Sequence, residues 1–381
     1  MSDLQTHWQY IQVLKENFNN LFSYEMGNDI KLINFPLHHI IVSQIFFLND
    51  SIQNYLFFYL CFSLFIPYLF YLNLFEIFND IDKKILVLIS SLIYILPAFQ
   101  YSAIWGNSHL TALFFFLIGI LFHLKLRKYN YNKTTYILGT IIFLSLAAYT
   151  KQFYVFFFFF IFLEFLIKIK FKLFLLISFF TIILSMPGVL FLLDNPILFS
   201  GIKQKTTNFT SAILITSSIC FFYIIPFLIQ YVVNNFKNFK EMFKTIINTK
   251  IVIISAIIFL VCLPFFYYEG NIGGGIAYKT LIIILNQKII FFIFSFLGIY
   301  FLLFFTEKNV YSYSLTILIL CTFSTGFFIF QKYFEPMFLI IFLLYFDYKK
   351  IKRSIKNNNF ILLSYFCCYY FITNYIYFFG V

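Results

Sequence analysis

The stretch KLRKYNYNKTTYILGTIIFLSLAAYTKQFYVFFFFFIFLEFLIKIKFK, at residues 125–172, shows the pattern on which the fold depends. It contains two apolar runs of about 15 residues each, close to the length that crosses a bilayer as an α-helix. Only Lys151 and Gln152 separate the two runs, whereas several lysines flank them at their far ends. The stretch therefore predicts two membrane helices that meet at a tight corner with a single basic residue.

The same pattern repeats along the chain. Of its 381 residues, 62% are hydrophobic and only 11% are charged, and the mean hydropathy is +0.88. This composition is far too apolar for a soluble domain. It predicts an all-α polytopic membrane protein with about twelve transmembrane helices, which form one bundle over residues 52–381. The expected spans are roughly 52–73, 84–103, 108–124, 134–149, 153–167, 171–193, 210–232, 251–268, 288–304, 311–330, 334–347 and 360–378.

The basic residues predict the orientation of these spans. The net charge is +12, and nineteen of the 27 lysine and arginine residues fall in the gaps after odd-numbered spans. The positive-inside rule places those gaps in the cytoplasm and residues 1–51 on the other side. The charge thus indicates topology and does not point to a nucleic-acid partner. The remaining eight basic residues are Lys15, Lys31, Lys151, Lys203, Lys205, Lys279, Lys288 and Lys332.

Residues 1–51 are predicted to form an outer-face loop with interfacial helices. The segment 37–48 is too short to span and predicts a helix in the interface, started by Pro36 at its first turn. The preceding polar segment predicts an amphipathic helix, because apolar residues recur in it at near-helical spacing. These apolar residues are Trp8, Tyr10, Ile11, Leu14 and Phe18.

Asp3 and His7 are spaced to share one face of that first helix. A carboxylate beside an imidazole can act as a general base toward a hydroxyl. The alternative is that Asp3 caps the helix in a frayed N-terminal tail, because caps are common at such positions. His38 and His39 are candidates for contacting phosphate or sugar, with solvation by lipid headgroups as the alternative. Adjacent histidines point to different helix faces, so no metal site is predicted there.

Three lysines lie at separate outer corners. Lys151 is expected to bind an anion, with snorkelling to the interface as the alternative. Lys279 follows a glycine-rich segment whose backbone could bind an anion at a helix start, although the P-loop spacing is absent. Lys332 occupies a third corner, before Tyr333. We expect the three lysines to converge on one phosphate.

This set of elements resembles the GT-C superfamily of polytopic glycosyltransferases, and within it the dolichyl-phosphate-glucose-dependent α-1,2-glucosyltransferase family. The likeness covers most of the chain, but each motif is short, and the family's second acidic residue is replaced by Leu4. The resemblance implies a GT-C-like fold and a further helix before Asp3. The matching elements are Asp3 and His7, Pro36, Lys151 and Gln152, Gly274, Gly275 and Ile276 before Lys279, and Lys332 with Tyr333.

The resemblance implies an inverting glycosyltransferase at the non-cytoplasmic face of a bacterial inner membrane or the endoplasmic reticulum. It would move a hexose, with glucose favoured, from a polyprenyl- or dolichyl-phosphate sugar to a lipid-linked glycan, without a cofactor or metal. Asp3 and His7 would be catalytic. The donor phosphate would be bound by Lys151, Gln152, Lys279, Lys332 and Tyr333. Other substrate contacts would come from His38, His39, Trp105, Asn107, His109, Gly274 and Gly275.

Two alternatives remain open. A transporter or flippase of a lipid-linked sugar would carry ionisable groups in mid-span and inverted repeats. The sequence shows only Glu164 near the end of a span. A surface-polysaccharide polymerase or ligase would share the outer-face arrangement of the glycosyltransferase.

Overall fold

The computed structural model describes residues 3–16, 35–194, 209–236, 239–268, 273–322, 329–356 and 359–379. Helices dominate these ranges, and none of them contains a β-strand, which confirms the all-α prediction. The chain divides into two compact units. The first comprises Met1–Ile77 and Phe99–Gly201, and the second comprises Phe78–Ala98 and Ile202–Val381.

The described helices follow the predicted spans closely in their positions. Their bounds, in chain order, are α1 Asp3–Glu16, α2 Leu37–Gln44, α3 Phe46–Asp50, α4 Ile52–Ser63, α5 Phe65–Ile77, α6 Lys83–Ser91, α7 Pro97–Ile104, α8 Ser108–Lys128, α9 Thr134–Thr150, α10 Tyr154–Lys168, α11 Phe171–Asp194, α12 Phe209–Asn234, α13 Phe239–Ile246, α14 Thr249–Cys262, α15 Gly275–Tyr278, α16 Lys288–Phe305, α17 Val310–Cys321, α18 Met337–Tyr345, α19 Tyr348–Ile355 and α20 Phe360–Phe379.

Within the described ranges, six helices are long and apolar enough to cross a membrane, and up to seven if a bent pair counts as one span. Four shorter apolar helices accompany them, among them α9 and α17. The chain is therefore an α-helical membrane protein, and the number of twelve spans stays a prediction. The shortest predicted span, 334–347, forms only the nine-residue helix α18, about 14 Å long at the usual helical rise.

Two segments differ from their predicted form. The span predicted at 84–103 is bent by 68° between Lys83–Ile95 and Pro97–Ile104. Proline lacks a backbone N–H and pushes the residue before it into an extended conformation, which Leu96 adopts with ψ 121°. The loop predicted at 269–287 contains α15, continued by a π-helical turn over Lys279–Ile284. The preceding residues 269–272 lie outside the described part of the chain.

The first unit is built around the neighbouring helices α8 and α9. Gly119 of α8 lets the two helices approach, because a Cβ atom there would lie 2.9 Å from Leu144 Cδ2. On the other side of α8, Asn73 of α5 is fully buried and donates a 3.1 Å hydrogen bond to the Leu117 carbonyl. Since α8 and α9 are joined by a short turn, the start of α8 and the end of α9 lie at the same end of the pair.

The second unit is built around α12, which is buried over most of its length. Its tightest neighbour is α16, at Gly298. A Cβ atom on Gly298 would lie only 2.0 Å from the carbonyl oxygen of Ser217. The two helix backbones therefore meet directly at this point, an arrangement that only glycine permits. Membrane helices commonly associate through small residues in this way.

Replacing Gly298 with alanine is expected to destabilise the second unit by roughly 1–3 kcal/mol or more, because backbone has to move to admit the methyl group. Ser295→Ala is the matched control on the same face of α16. The Ser295 hydroxyl is buried and has no hydrogen-bond partner in the described structure, so its removal should leave stability unchanged or raise it. Apparent melting temperatures of the purified variants in detergent measure both effects. Equal melting temperatures for Gly298→Ala and Ser295→Ala would contradict the close packing.

Candidate functional site

Helix α1 packs against α2 and α3 in the first unit and positions the predicted catalytic residues. Its apolar side chains are buried at helical spacing, and Leu14 packs with Phe35 and Phe191. Lys15 also holds it in place, through a 3.2 Å hydrogen bond from Nζ to the carbonyl of Asn49. The amphipathic helix predicted from this spacing is therefore present, with Phe18 outside the described residues. The buried side chains of α1 are Leu4, Tyr10, Ile11 and Leu14.

His7 joins α1 to α2. Its Nδ1 atom lies 2.7 Å from Nε2 of His39, and the two rings are stacked with centroids 5.0 Å apart. One of these nitrogens donates and the other accepts. Asp3 is the first residue of α1, one helical turn before His7, and its side chain lies outside the described structure.

His38 is fully buried and is held by three hydroxyl groups. Its Nδ1 lies 2.9 Å from Thr111 Oγ1 and 3.3 Å from the Tyr59 hydroxyl, and its Nε2 lies 3.1 Å from the Tyr55 hydroxyl. Tyr55 donates its only proton to the carbonyl of Gly106. The Tyr55 oxygen must therefore accept from His38, which places the proton of the neutral imidazole on Nε2.

The corner before α8 closes this cluster. Gly106 has φ +58°, and a Cβ atom there would lie 2.6 Å from the Tyr55 ring, so glycine is required by both conformation and space. Asn107 is buried and caps α8, because its Oδ1 accepts from the His109 N–H at 3.2 Å. His109 stacks on Phe153 at 5.9 Å.

Trp105 lies beside this corner, half-buried, with its ring 6.2 Å from that of Tyr101. Lys151 ends α9 and is buried, with 6% of its surface exposed, and Gln152 follows it half-buried. The structure therefore places both predicted outer corners at the same end of α8 and α9. Lysine-rich residues 125–133 lie at the opposite end of this pair.

Several predicted residues of the first unit are close enough for their charges to shift one another's pKa values. Burial lowers the pKa of His38 well below its ordinary value, and the charges of His7, Lys151 and His109 lower it further. Burial likewise lowers the pKa of His39, with further contributions from His38, His7 and Lys151. Both histidines lie outside the long apolar helices. Five predicted site residues thus form one cluster: His7, His38, His39, His109 and Lys151.

The second unit contains the other predicted positions. The Gly274 N–H donates to the Ile329 carbonyl at 2.8 Å, and the Ile276 N–H donates to Oε1 of Gln331 at 2.8 Å. Two amides expected to face an anion are therefore engaged within the protein. Gly274 and Gly275 have φ +80° and +74°, and a Cβ atom on Gly275 would lie 2.6 Å from Ile219.

The two lysines of the second unit differ in their surroundings. Lys279 is exposed on the π-helical turn. Lys332 is half-buried, with Nζ 5.3 Å from the centre of the Phe330 ring, and Tyr333 is half-buried beside it. Lys151 belongs to the first unit and these two lysines to the second. Convergence of the three on one phosphate stays a prediction.

Glu335 is the centre of a polar network in the second unit and is not one of the predicted site residues. Its carboxylate is buried and accepts hydrogen bonds from the hydroxyls of Tyr223 and Tyr369 and, at 2.9 Å, from the N–H of Ala98. Gln331 donates to the same two hydroxyls, at 3.1 and 3.3 Å. A carboxylate in an apolar setting needs such donors, so an acidic residue near the start of the predicted span 334–347 was the available signal.

Tyr55, Tyr59 and Thr111 also went unrecognised, because they lie inside apolar runs. Tyr55 and Tyr59 are one helical turn apart and both buried, but in a chain with 29 tyrosines this spacing does not distinguish them. Among the described residues, no group of three or more His, Cys, Asp or Glu side chains could hold a metal ion. Searches against protein-family models, curated proteins and solved structures find no match to this chain. The likeness to the GT-C superfamily therefore stays an expectation from the sequence.

The histidine cluster predicts a loss of stability on acidification. Because the folded-state pKa values of His38 and His39 lie below the unfolded value of about 6.5, the unfolded chain binds more protons than the folded protein below that pH. The folded protein therefore has its full free energy of unfolding above about pH 6.5, where both histidines are neutral in either state, and loses part of it as the pH falls. The free energy of unfolding should fall by roughly 1 kcal/mol per pH unit for each histidine below about pH 6.5. Apparent melting temperatures in detergent from pH 7.5 to 5 follow this loss.

The double variant His38→Asn/His39→Asn should show a flatter pH dependence than the unmodified protein. Asn73→Leu is the control, because it removes a buried hydrogen bond to the Leu117 carbonyl, worth about 1 kcal/mol, that involves no histidine. It should lower the melting temperature equally at every pH. A pH dependence that survives in the double variant would show that other groups cause it.

Proposed function

We propose that the protein is an inverting membrane glycosyltransferase. It moves a hexose, with glucose favoured, from a polyprenyl- or dolichyl-phosphate sugar to a lipid-linked glycan or a similar acceptor. The observation that carries the proposal is a pair of buried polar atoms in the histidine cluster. Within the described structure, Nδ1 of His39 and the hydroxyl of Tyr10 find no hydrogen-bond partner, although their rings lie only 5.4 Å apart.

A buried polar atom without a partner costs about 1–3 kcal/mol, so two neighbouring ones call for an explanation. The hydroxyl groups of a sugar both donate and accept, and they match an imidazole nitrogen and a phenol. The Trp8 and Tyr55 rings, with centroids 5.8 Å apart, add aromatic surface to the same cluster. The site is therefore suited to a polyhydroxylated ligand.

The surroundings also favour an anion. Lys151 is buried close enough to influence the pKa values of His38 and His39, and the start of α8, which is the positive end of the helix dipole, lies at the same end of the α8–α9 pair. A lipid phosphate carrying a sugar presents both chemistries together. The cluster thus offers groups for the sugar and a positive charge for its leaving group.

In the proposed reaction, Asp3 accepts the proton of the acceptor hydroxyl as its oxygen attacks the anomeric carbon. A new glycosidic bond forms, the bond between that carbon and the phosphate oxygen breaks, and its electron pair leaves with the lipid phosphate. Attack from the side opposite the phosphate inverts the configuration. Lys151 stabilises the charge that grows on the phosphate, and His7 lies one helical turn after Asp3 on α1.

Replacing Asp3 with asparagine should lower hexose transfer by roughly 100-fold or more, the usual contribution of a general base. Glu16→Gln is the matched control, because it removes a carboxylate at the exposed far end of the same helix. Transfer from dolichyl-phosphate glucose and from an undecaprenyl-phosphate hexose is measured in membranes with equal amounts of each variant. Full activity of Asp3→Asn would sink the assignment.

A transporter or flippase of the same lipid-linked sugar is the second candidate, favoured by the buried Glu335. An ionisable group enclosed in a helical membrane protein is a common mark of a transport pathway. The two candidates differ in which carboxylate they need. In a transporter, Glu335→Gln abolishes passage of lipid-linked sugar across vesicles, while Asp3→Asn leaves it intact. Glycosyl transfer by a Glu335→Gln variant, with no flux in the unmodified protein, would exclude the transporter.

A further inference from the structure

A polar cleft of about 720 Å³ lies in the second unit, and its lining includes none of the predicted site residues and none of the residues bonded to Glu335. It is formed by the end of α13, the start of α14, the turn after α16 and the start of α19. Its volume is in the range of sites that hold small organic ligands. The lining residues that carry charge are Lys244, Lys308, Lys349, Lys350, Glu307 and Asp347.

The charges in the cleft do not cancel. Lys350 is neutralised by Asp347, whose Oδ2 lies 2.9 Å from its Nζ, and the same Nζ donates to the Phe304 carbonyl at 2.5 Å. Asp347 also caps α19, accepting from the amides of residues 349 and 350. The side chains of Lys244, Lys308 and Lys349 are exposed. Against these three lysines stands one carboxylate, Glu307, so the cleft has an excess of positive charge.

The helices beside the cleft are suited to a membrane surface. α19 has the sequence YKKIKRSI, with Ile351 and Ile355 buried and Lys349 and Arg353 exposed on the other side. α13, with the sequence FKEMFKTI, buries Met242 and exposes Phe243 and Lys244. Short basic amphipathic helices that join apolar spans are typical of segments at the level of the lipid headgroups.

The lysine bias of the sequence places these same gaps on the cytoplasmic side. That leaflet carries anionic lipids, and basic pockets between membrane helices on that side bind their headgroups. A free phosphate compound would meet the same lysines. The exposed Phe243 beside Lys244 favours a ligand with acyl chains, because an apolar side chain next to the cleft gains from lipid and not from water.

We propose that this cleft binds the phosphate headgroup of an anionic membrane phospholipid, held by Lys244, Lys308 and Lys349. The ligand is a lipid of the surrounding bilayer and takes no part in glycosyl transfer. The lipid site can therefore be confirmed or refuted without reference to the proposed function.

The test is a titration of the delipidated full-length protein in detergent, followed by native mass spectrometry. The probes are dioleoyl phosphatidylglycerol, zwitterionic dioleoyl phosphatidylcholine and water-soluble glycerol 3-phosphate. The first variant is Lys244→Gln/Lys308→Gln/Lys349→Gln, in which all three side chains are exposed. The matched control, Lys125→Gln/Lys133→Gln/Lys168→Gln, removes the same charge from the same predicted side at positions in the first unit.

The unmodified protein should retain phosphatidylglycerol in preference to phosphatidylcholine. The cleft variant should bind phosphatidylglycerol at least about tenfold more weakly, since each lysine near a headgroup contributes about 1 kcal/mol, and the control should change by less than about twofold. Unchanged melting temperatures show that both variants fold. Equal losses in the two variants, equal retention of the two lipids, or binding of glycerol 3-phosphate as tight as that of the lipid would each overturn the proposal.

Discussion

Hydrocarbon offers no hydrogen-bond partner, and this constraint determines where polar side chains can lie in the protein. A polar side chain among apolar helices has to find its donors and acceptors inside the fold. His38 does so with three hydroxyls from α4 and α8. Glu335 does so with a backbone amide and two tyrosine hydroxyls, to both of which Gln331 donates. Both groups are therefore fixed in place by the helices around them. The same constraint makes unpartnered atoms, such as Nδ1 of His39, stand out as places where a ligand could supply what the protein lacks.

The elements set by local chemistry were predictable from the sequence. The apolar runs give α9 and α16 almost to the residue, and the spacing of Leu14 and its neighbours gives α1. The partners of His38 were not predictable, because Tyr55 and Tyr59 look like any of the 29 tyrosines of an aromatic-rich chain. The network of Glu335 was hidden for another reason. Its donors, at positions 98, 223 and 369, are far apart along the chain, and only the packing of helices brings them together.

The sorting of basic residues acquires a second meaning from the structure. In the first unit, the lysines that indicate orientation lie at one end of α8 and α9, and the histidine cluster lies at the other end. In the second unit, lysines assigned by the sequence to orientation alone line a cleft with excess positive charge. A lysine that satisfies the positive-inside rule can therefore also line a binding site, so the two roles do not exclude each other.

The bond between His7 and His39 has a further consequence. A neutral imidazole has one nitrogen that donates and one that accepts, whereas a protonated ring only donates. The 2.7 Å contact between the two rings can therefore survive with no added proton or with one, but not with two. A second proton would set two N–H groups against each other and push α1 away from α2. The position of α1, the helix that carries Asp3, therefore depends on whether this pair of histidines binds a second proton.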